Sequence, residues 1–571
     1  MSAVVLALIG LGMMALGYLL YSKFLATRVY QLSDTYATPA HTMEDGVDYV
    51  PTNKYVLWGH HFTSVAGAAP IIGPAVAVIW GWVPAFLWVT LGTMFFAGMH
   101  DLGALWASQR HRGQSIGTLS GRYIGARGRN LFLVVIFLLL LMVNAAFAVV
   151  ISNLLISTPS AVIPTWGAIV VALLIGQAIY RFNWNLPLVS VVGVAALYGL
   201  MILGDQVPVA LPDEMLGIPA RGWWIIFLFI YAFIASLLPV WVLLQPRDYI
   251  NGLQLFVGLI ILYASFFIVR PEIVAPSLRD AVPDGTPGIF PLLFVTIACG
   301  AISGFHGVVA SGTSSKQLDK ETDARFVGYF GAVGEGLLAL GTIIATTGGY
   351  KTITEWENVY NEWNAGGVNA FIAGGGALMN EGMGIPTSLS ATILATMAVL
   401  FAATTMDSGV RLQRLVVAEI AELMGIKLSG LVATIIAVGF ALGLTFSTGL
   451  DGSGGMLIWP LFGTTNQLMA GLTLSILAIM LTQLRRPTWP ILVPLVFVTT
   501  MSLWAAILQL RTLWSAQNWL LLVIDIVIIC CAIWVIVEAF TAISKAKKAP
   551  AAAWRDDETM PGEHAVQPAN V

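Results

Sequence analysis

Residues 55–108 read YVLWGHHFTSVAGAAPIIGPAVAVIWGWVPAFLWVTLGTMFFAGMHDLGALWAS, and the fold turns on this stretch. It is long and apolar enough to cross a bilayer twice. Its first half is a poor helix, because Gly67, Pro70, Gly73 and Pro74 fall in the middle of it. Proline removes a backbone donor and clashes with the preceding turn, and glycine weakens a helix further. In hydrocarbon an opened backbone must find partners, so such a break survives only inside protein or beside a polar cavity. His60, His61, Thr63 and Ser64 lie just before the break. A helix broken near the midplane with polar residues beside it is how many transporters build a substrate site. One kink would read as packing alone. Two Gly-Pro interruptions beside a His pair point to a site.

The composition around this stretch is that of a membrane protein. Of 571 residues, 58% are hydrophobic and 10% charged, against about 25% charged in a soluble domain. The expected class is an all-α polytopic membrane protein. The net charge of −3 gives no sign of a nucleic-acid partner. Cys299, Cys530 and Cys531 lie in apolar runs without a CxxC, so no disulfide framework is expected. The N-terminal run lacks a basic leader and a cleavage site, and reads as a retained helix. Lys23 and Arg28 follow it, which places its N-terminus outside.

Apolar runs predict about fifteen spans. They fall near 3–21, 61–81, 84–108, 131–155, 165–181, 187–204, 222–244, 250–269, 290–311, 326–348, 387–410, 428–448, 455–482, 488–510 and 518–542. Cytoplasmic loops are expected to be rich in Lys and Arg. The loop 109–130 then carries Arg110, Arg112, Arg122, Arg127 and Arg129 without an acid, and Lys545, Lys547 and Lys548 place the C-terminus inside. The outer segments include acidic ones near Asp205–Glu214 and Glu355–Glu362. Arg270, Arg279 and Arg511 are exceptions. Residues 31–54 read as a polar loop at the inner surface, 350–385 as an acidic run followed by a Gly-rich re-entrant piece, and 550–571 as a disordered cytoplasmic tail.

A second Gly-rich span, IFPLLFVTIACGAISGFHGVVASG, carries Gly300, Ser303, Gly304, His306 and Gly307. Each broken span is followed by a helix with an acid, Asp101 after the first and Glu335 after the second. The two broken spans are seven apart in the order above, so they cross in opposite directions, as an inverted-topology repeat requires.

The motifs GHHFTSVAGAAPIIGPA, GWVPAFLWV and MHDLGALWASQRHRGQSIG closely resemble the carbon starvation protein A (CstA) family of bacterial inner-membrane transporters. The resemblance resumes at QPRDYIN (245–251), CGAISGFHGVVASGTSSKQLDKETDAR (299–325), TTMDSGVRLQRLVVAE (404–419) and WPLFGTTNQLMAGL (459–472). It implies a LeuT-like inverted-repeat core, with a first repeat plus inserted helices at 55–289 and a second repeat at 290–484. An extra N-terminal helix at 1–30 and C-terminal helices at 485–549 lie outside that core. It also implies uptake of short peptides or pyruvate under carbon starvation, with protons. The resemblance leaves open which of the spans in 165–269 belong to the first repeat.

Ionisable groups at membrane depth are costly and face a cavity or a partner. Glu335 sits about ten residues into its span, near the midplane at about 1.5 Å per residue, with no basic residue within four positions. A coupling role is weighed there against a protonated core carboxyl. Asp407 has Arg411 at i+4, the spacing of a structural ion pair. Thr404, Thr405 and Ser408 surround it, and in LeuT-like folds the corresponding span lends hydroxyls to a cation site. Proton or cation coupling is thus expected at Glu335, Asp407, Thr404, Thr405 and Asp101. Substrate contact is expected at His61, Thr63, Ser64, Gly67, Pro70, Ser303, Gly304, His306 and Gln467. For His60, His61, His100 and His306 the bland alternative is hydrogen-bonded helix-terminus histidines, and their spacing does not indicate a metal site. No cofactor is expected, no GxxxxGK[ST] motif occurs, and no nucleophile–base pattern suggests an enzyme. The expected partners are a small substrate, H⁺ or Na⁺, and the bilayer. A nutrient sensor, a Na⁺-coupled carrier of another carboxylate and a channel are the alternatives.

Overall fold

A computed structural model describes residues 1–363 and 365–550. The tail expected from residue 550 thus lies, beyond Pro550, outside the described residues. Among the described residues the structure is all-helical apart from one hairpin of two-residue strands, Glu214–Met215 with Ile218–Pro219, and two isolated bridges. The principal helices are α1 (Ala3–Val29), α2 (Lys54–Ala66), α3 (Ala69–Trp80), α4 (Trp82–Gln109), α5 (Ala126–Ser157), α6 (Pro159–Tyr180), α7 (Leu186–Gln206), α8 (Ala220–Leu237) and α9 (Leu244–Val269). They continue with α10 (Ile289–Thr296), α11 (Gly304–Gly312), α12 (Arg325–Gly348), α13 (Gly367–Met383), α14 (Thr387–Leu423), α15 (Gly430–Thr445), α16 (Trp459–Gln483), α17 (Trp489–Ser515) and α18 (Trp519–Lys548).

Among the described residues, twelve helices are long and apolar enough to span a membrane, or thirteen if the bent pair α2–α3 counts as one. That is fewer than the fifteen expected, and the difference falls at two places. The segment 290–311 is the split pair α10 and α11, and 428–448 is the 16-residue α15. The segment read as re-entrant contains the 17-residue helix α13, packed against α3, α9, α12 and α14. The N-terminal helix runs on to Val29 rather than ending near 21.

The layering follows from which helices lack a lipid face. In their most apolar windows α16 is 100% buried, α12 is 89% buried, and α5 and α14 are 83% buried. By contrast, α7 is 22% buried and α1 33%. A helix that is apolar all round belongs either inside a bundle or against lipid. The first four are central, and α1 and α7 lie at the edge. The α6–α7 hairpin packs chiefly on itself and then on α9 and α14.

Residues 31–53 form a structured cover. Thr52 bridges to Leu318, His41 Nε2 lies 2.8 Å from Asp319, and Asp48 lies 3.1 Å from Arg411 Nη1. Burial pushes the Asp48 carboxyl up, but the charges of Lys316, Arg411 and Arg414 outweigh it and hold the group below its ordinary range. Beside this cover Arg110 grips Glu321 with Nε and with Nη2, the latter at 2.6 Å.

Candidate functional site

The first break is made by Gly67, which takes φ 57° and ψ −157°, a region open in practice to glycine alone. The α2 helix stops there and α3 restarts at Ala69 at an angle of 45°. Pro70 sits in the first turn of α3, where its missing N–H costs no bond. The second break spans 297–303, with Gly300 at φ 91° and Ser303 extended before α11. Both breaks are buried. His60, His61, Thr63, Ser64, Ser303 and His306 are all 0% exposed.

Two clusters of charge meet at these breaks. In the first, His306 on α11 stands between two carboxyl groups. Its Nδ1 is 2.8 Å from Asp101 Oδ2 on α4, and its Nε2 is 3.1 Å from Glu335 Oε2 on α12. The second contact is close but lacks hydrogen-bond alignment, so His306 Nε2 and both Glu335 oxygens have no hydrogen-bond partner. Asp101 also receives His100 Nδ1 at 2.9 Å, and His61 Nε2 stands 3.9 Å away. His61 Nδ1 meets Ser314 Oγ at 2.9 Å. An imidazole with a carboxylate beside each nitrogen suits the imidazolium, which here bonds Asp101 through Nδ1 and faces Glu335 through Nε2.

In the second cluster, Asp248 on α9 lies 2.7 Å from His60 Nδ1 and accepts from the Ser64 hydroxyl at 3.3 Å. The neighbouring Arg247 donates to Asp248 Oδ1 and to Asp407 on α14. Tyr231 on α8 also donates to Asp407, at 2.7 Å. The Thr404 hydroxyl donates to the Thr63 carbonyl at 2.8 Å and Thr405 to the Ser64 carbonyl at 3.0 Å. Ser408 donates to the Ser64 hydroxyl at 2.9 Å. The side chains of α14 thus hold the last turn of α2 open beside the break.

These contacts redistribute the expected residues. Asp407 does not pair with Arg411 at i+4. Arg411 turns to Asp48 and the Leu238 carbonyl, and the cation on Asp407 is Arg247, 160 positions away. Glu335 has a basic neighbour after all, brought by α11 rather than by its own helix. Ser303 donates to Asn466 Oδ1 at 3.0 Å, and the same oxygen accepts the Phe305 amide at 2.8 Å, so Asn466 caps α11. Gly304 lets α11 lie against α16, since a Cβ there would come within 2.4 Å of the Ala470 nitrogen and the Asn466 carbonyl oxygen. Gln467 donates to the Phe294 carbonyl at 2.9 Å and accepts from Ser502, which ties helices together. Arg247 and Asp248 were missed as site residues, although an Arg-Asp pair opening the apolar run 250–269 was a visible signal.

A cavity of about 820 Å³ adjoins the breaks. Loop residues Gly285, Trp363 and Asn518 line it, as do Ala69, Thr296 and Cys299 at the breaks. Cys299 Sγ and atoms of His306 and Glu335 lie within 4.8 Å of one another, close enough to share a metal ion.

The carbon starvation protein CstA family model matches residues 2–361 and 349–505. A peptide transporter CstA of Campylobacter jejuni is 32% identical, over 89% of this chain and 80% of that protein. A pyruvate/proton symporter BtsT of Escherichia coli is 31% identical, over 86% and 80%. Among solved structures, a manganese transporter of Eremococcus coleocola gives a TM-score of 0.49 at 10% identity, over 88% of this chain and 99% of that one. A likeness that loose carries no argument about the site.

Proposed function

The chain belongs to the carbon starvation protein CstA family, and on that footing we propose that it is a proton-coupled secondary transporter importing a small carboxylate nutrient, a short peptide or pyruvate. The observation that carries this reading is His306, held between Asp101 and Glu335 at the second break and within 4.8 Å of Cys299, which lines the cavity. A buried group of three titratable side chains on three helices can take and release a proton as the helices move. The relatives named as a peptide transporter and a pyruvate/proton symporter support the substrate class and the proton.

The substrate carboxylate is assigned to the N-terminus of α3, at Ala69 and Pro70, where partial positive charge collects. Ala69 and Ile72 line the cavity, whereas the start of α11 is already capped by Asn466. His61, Thr63, Ser64 and Gly67 shape this end, and Ser303, Gly304 and Gln467 hold the second break in place. In this reading Glu335, Asp101 and His306 carry the proton. Thr404 and Thr405 fix the open turn of α2.

The packing supports a LeuT-like inverted repeat with a particular membership. Asp248 of α9 meets α2, the half before the first break, through His60 and Ser64, and Gln467 of α16 meets α10, the half before the second, at the Phe294 carbonyl. These are equivalent places if α2–α5, α8 and α9 form one repeat and α10–α12 and α14–α16 the other. The hairpin α6–α7 is then the insertion. Counting α2–α3, α10–α11 and α15 as spans gives fifteen crossings in a bacterial inner membrane, with the N-terminus outside and the C-terminus in the cytoplasm.

Two experiments test this. Purified protein in liposomes should accumulate labelled pyruvate or a labelled dipeptide under an inward proton gradient, and collapse of accumulation of both on dissipating nothing but Na⁺ would refute proton coupling. In intact cells a membrane-impermeant maleimide should label Glu214→Cys, and should label Glu44→Cys only after permeabilisation. Both positions are exposed in the structure. The reverse pattern would overturn the orientation.

A further inference from the structure

Arg247 sits in a pocket rich in oxygen. Around it stand the carboxylates of Asp248 and Asp407, the Tyr231 hydroxyl and, one contact further, the hydroxyls of Ser64 and Ser408. The carbonyls of Thr63 and Ser64, at the open end of α2, complete the group. Oxygen-rich, partly unwound backbone beside a carboxylate is the environment that binds an alkali cation. Here a guanidinium is already present. Arg247 is 2% exposed and Asp248 and Asp407 are 0% and 1% exposed, so its charge is shared by two buried carboxylates. The carbonyl oxygens that would complete an ion's shell instead accept protons from Thr404 and Thr405.

We propose that the Arg247 guanidinium is the resident cation of this pocket, occupying the position a coupling sodium ion would need, so that transport proceeds without sodium. The proposal rests on the transporter reading above and decides which cation that reading uses. Its logic is electrostatic. Two carboxylates cannot stay ionised in a dry interior without a cation, and removing one partner of a buried pair leaves the other uncompensated. A fork of five N–H donors can serve Asp248, Asp407 and Tyr231 together, which a compact ion or a lysine cannot reproduce in the same geometry. Arg247 also joins three helices, α8, α9 and α14, and through Asp248 reaches α2. It is therefore a positioning residue for the first break rather than a substrate contact.

The test reads cation binding separately from transport. The melting temperature of the detergent-solubilised protein is measured as choline chloride is replaced by NaCl at constant ionic strength. The wild type should show no sodium-specific shift. Arg247→Ala removes the tethered charge and leaves room for an ion. Its melting temperature should be lower in choline and should rise with NaCl, since a ligand that binds only the folded state stabilises it. Free guanidinium at low millimolar concentration should act like sodium. In liposomes, uptake by Arg247→Ala should fall by about tenfold or more in choline and recover several-fold with sodium. Arg247→Lys, which keeps the charge, should retain sodium-independent uptake at a reduced rate. Should Arg247→Ala fail to fold, the wild-type melting series and Arg247→Lys still decide the matter. A sodium-specific stabilisation of the wild type, or an Arg247→Ala protein indifferent to both cations, overturns the proposal. Because melting needs no substrate, failure of the transport reading would appear only in the uptake arm.

Discussion

Glu335→Gln should reduce gradient-driven accumulation to equilibration while leaving exchange intact. One proton per substrate across one pH unit is worth about 1.4 kcal/mol, which supports an accumulation ratio of about ten. The amide keeps the shape of Glu335 beside His306 and removes the proton that the gradient drives. The ratio measured in liposomes should then fall from about ten to about one. Counterflow of labelled for unlabelled substrate should continue, because it needs no net proton movement. Wild-type accumulation with an unchanged pH dependence would remove Glu335 from the coupling path. His306→Gln should lose accumulation too, since one residue links both acids. Asp407→Asn differs in kind. It leaves the relay intact but takes one carboxylate from Arg247, and so should lower stability more than coupling.

The second large effect is steric. Gly304→Ala places a methyl group within 2.4 Å of the Ala470 nitrogen, the Asn466 carbonyl oxygen and Met469 Cβ. Two of those atoms belong to backbone, so α11 must move away from α16. Overpacking of this sort costs about 1–3 kcal/mol, and the movement also breaks the cap that Asn466 places on α11. Transport should be abolished and the melting temperature lowered. Gly67→Ala should fail as well, by strain at φ 57° and by contact with Phe147 and Thr405, 2.9 and 3.0 Å from the new Cβ. Such a backbone conformation costs a side-chain-bearing residue about 1–3 kcal/mol. Gly439→Ala, on α15 with nothing within 4 Å, is the control and should transport normally. Normal transport by Gly304→Ala would mean that α11 does not need its close approach to α16.

What could be read in the sequence was what is local. Gly67 and Pro70 announce the first break because the helix cannot absorb them. Gly300 and Gly304 announce the second for the same reason. The depth of Glu335 follows from counting residues along an apolar run. The family resemblance needed only contiguous motifs and is borne out by the CstA match. What stayed hidden was pairing across helices. The partner of Glu335 is His306, 29 positions earlier on a different helix, and no period in the sequence connects them. For Asp407 the local rule pointed the wrong way. Arg411 at i+4 has the right spacing, yet the inner cover supplies Asp48, and α9 brings Arg247 to Asp407 instead. Asn466 and Gln467 showed only that buried amides need partners. Their adjacency hid a division of work, since one caps α11 and the other ties α16 to the residues before the second break. The polar loop 31–54 reads as inner surface from its composition, while the partners that its polarity meets, Asp319, Gln317 and Arg411, lie far along the chain and were not legible.

The central claim is that substrate and proton cross together through the relay at His306. It is tested most directly by adding pyruvate, or a dipeptide, outside liposomes that hold the wild-type protein and a trapped pH dye, with no imposed gradient. The account predicts that substrate entry acidifies the interior in the wild type and that Glu335→Gln gives no acidification while still exchanging substrate. Substrate entry by the wild type with no change in internal pH would contradict it.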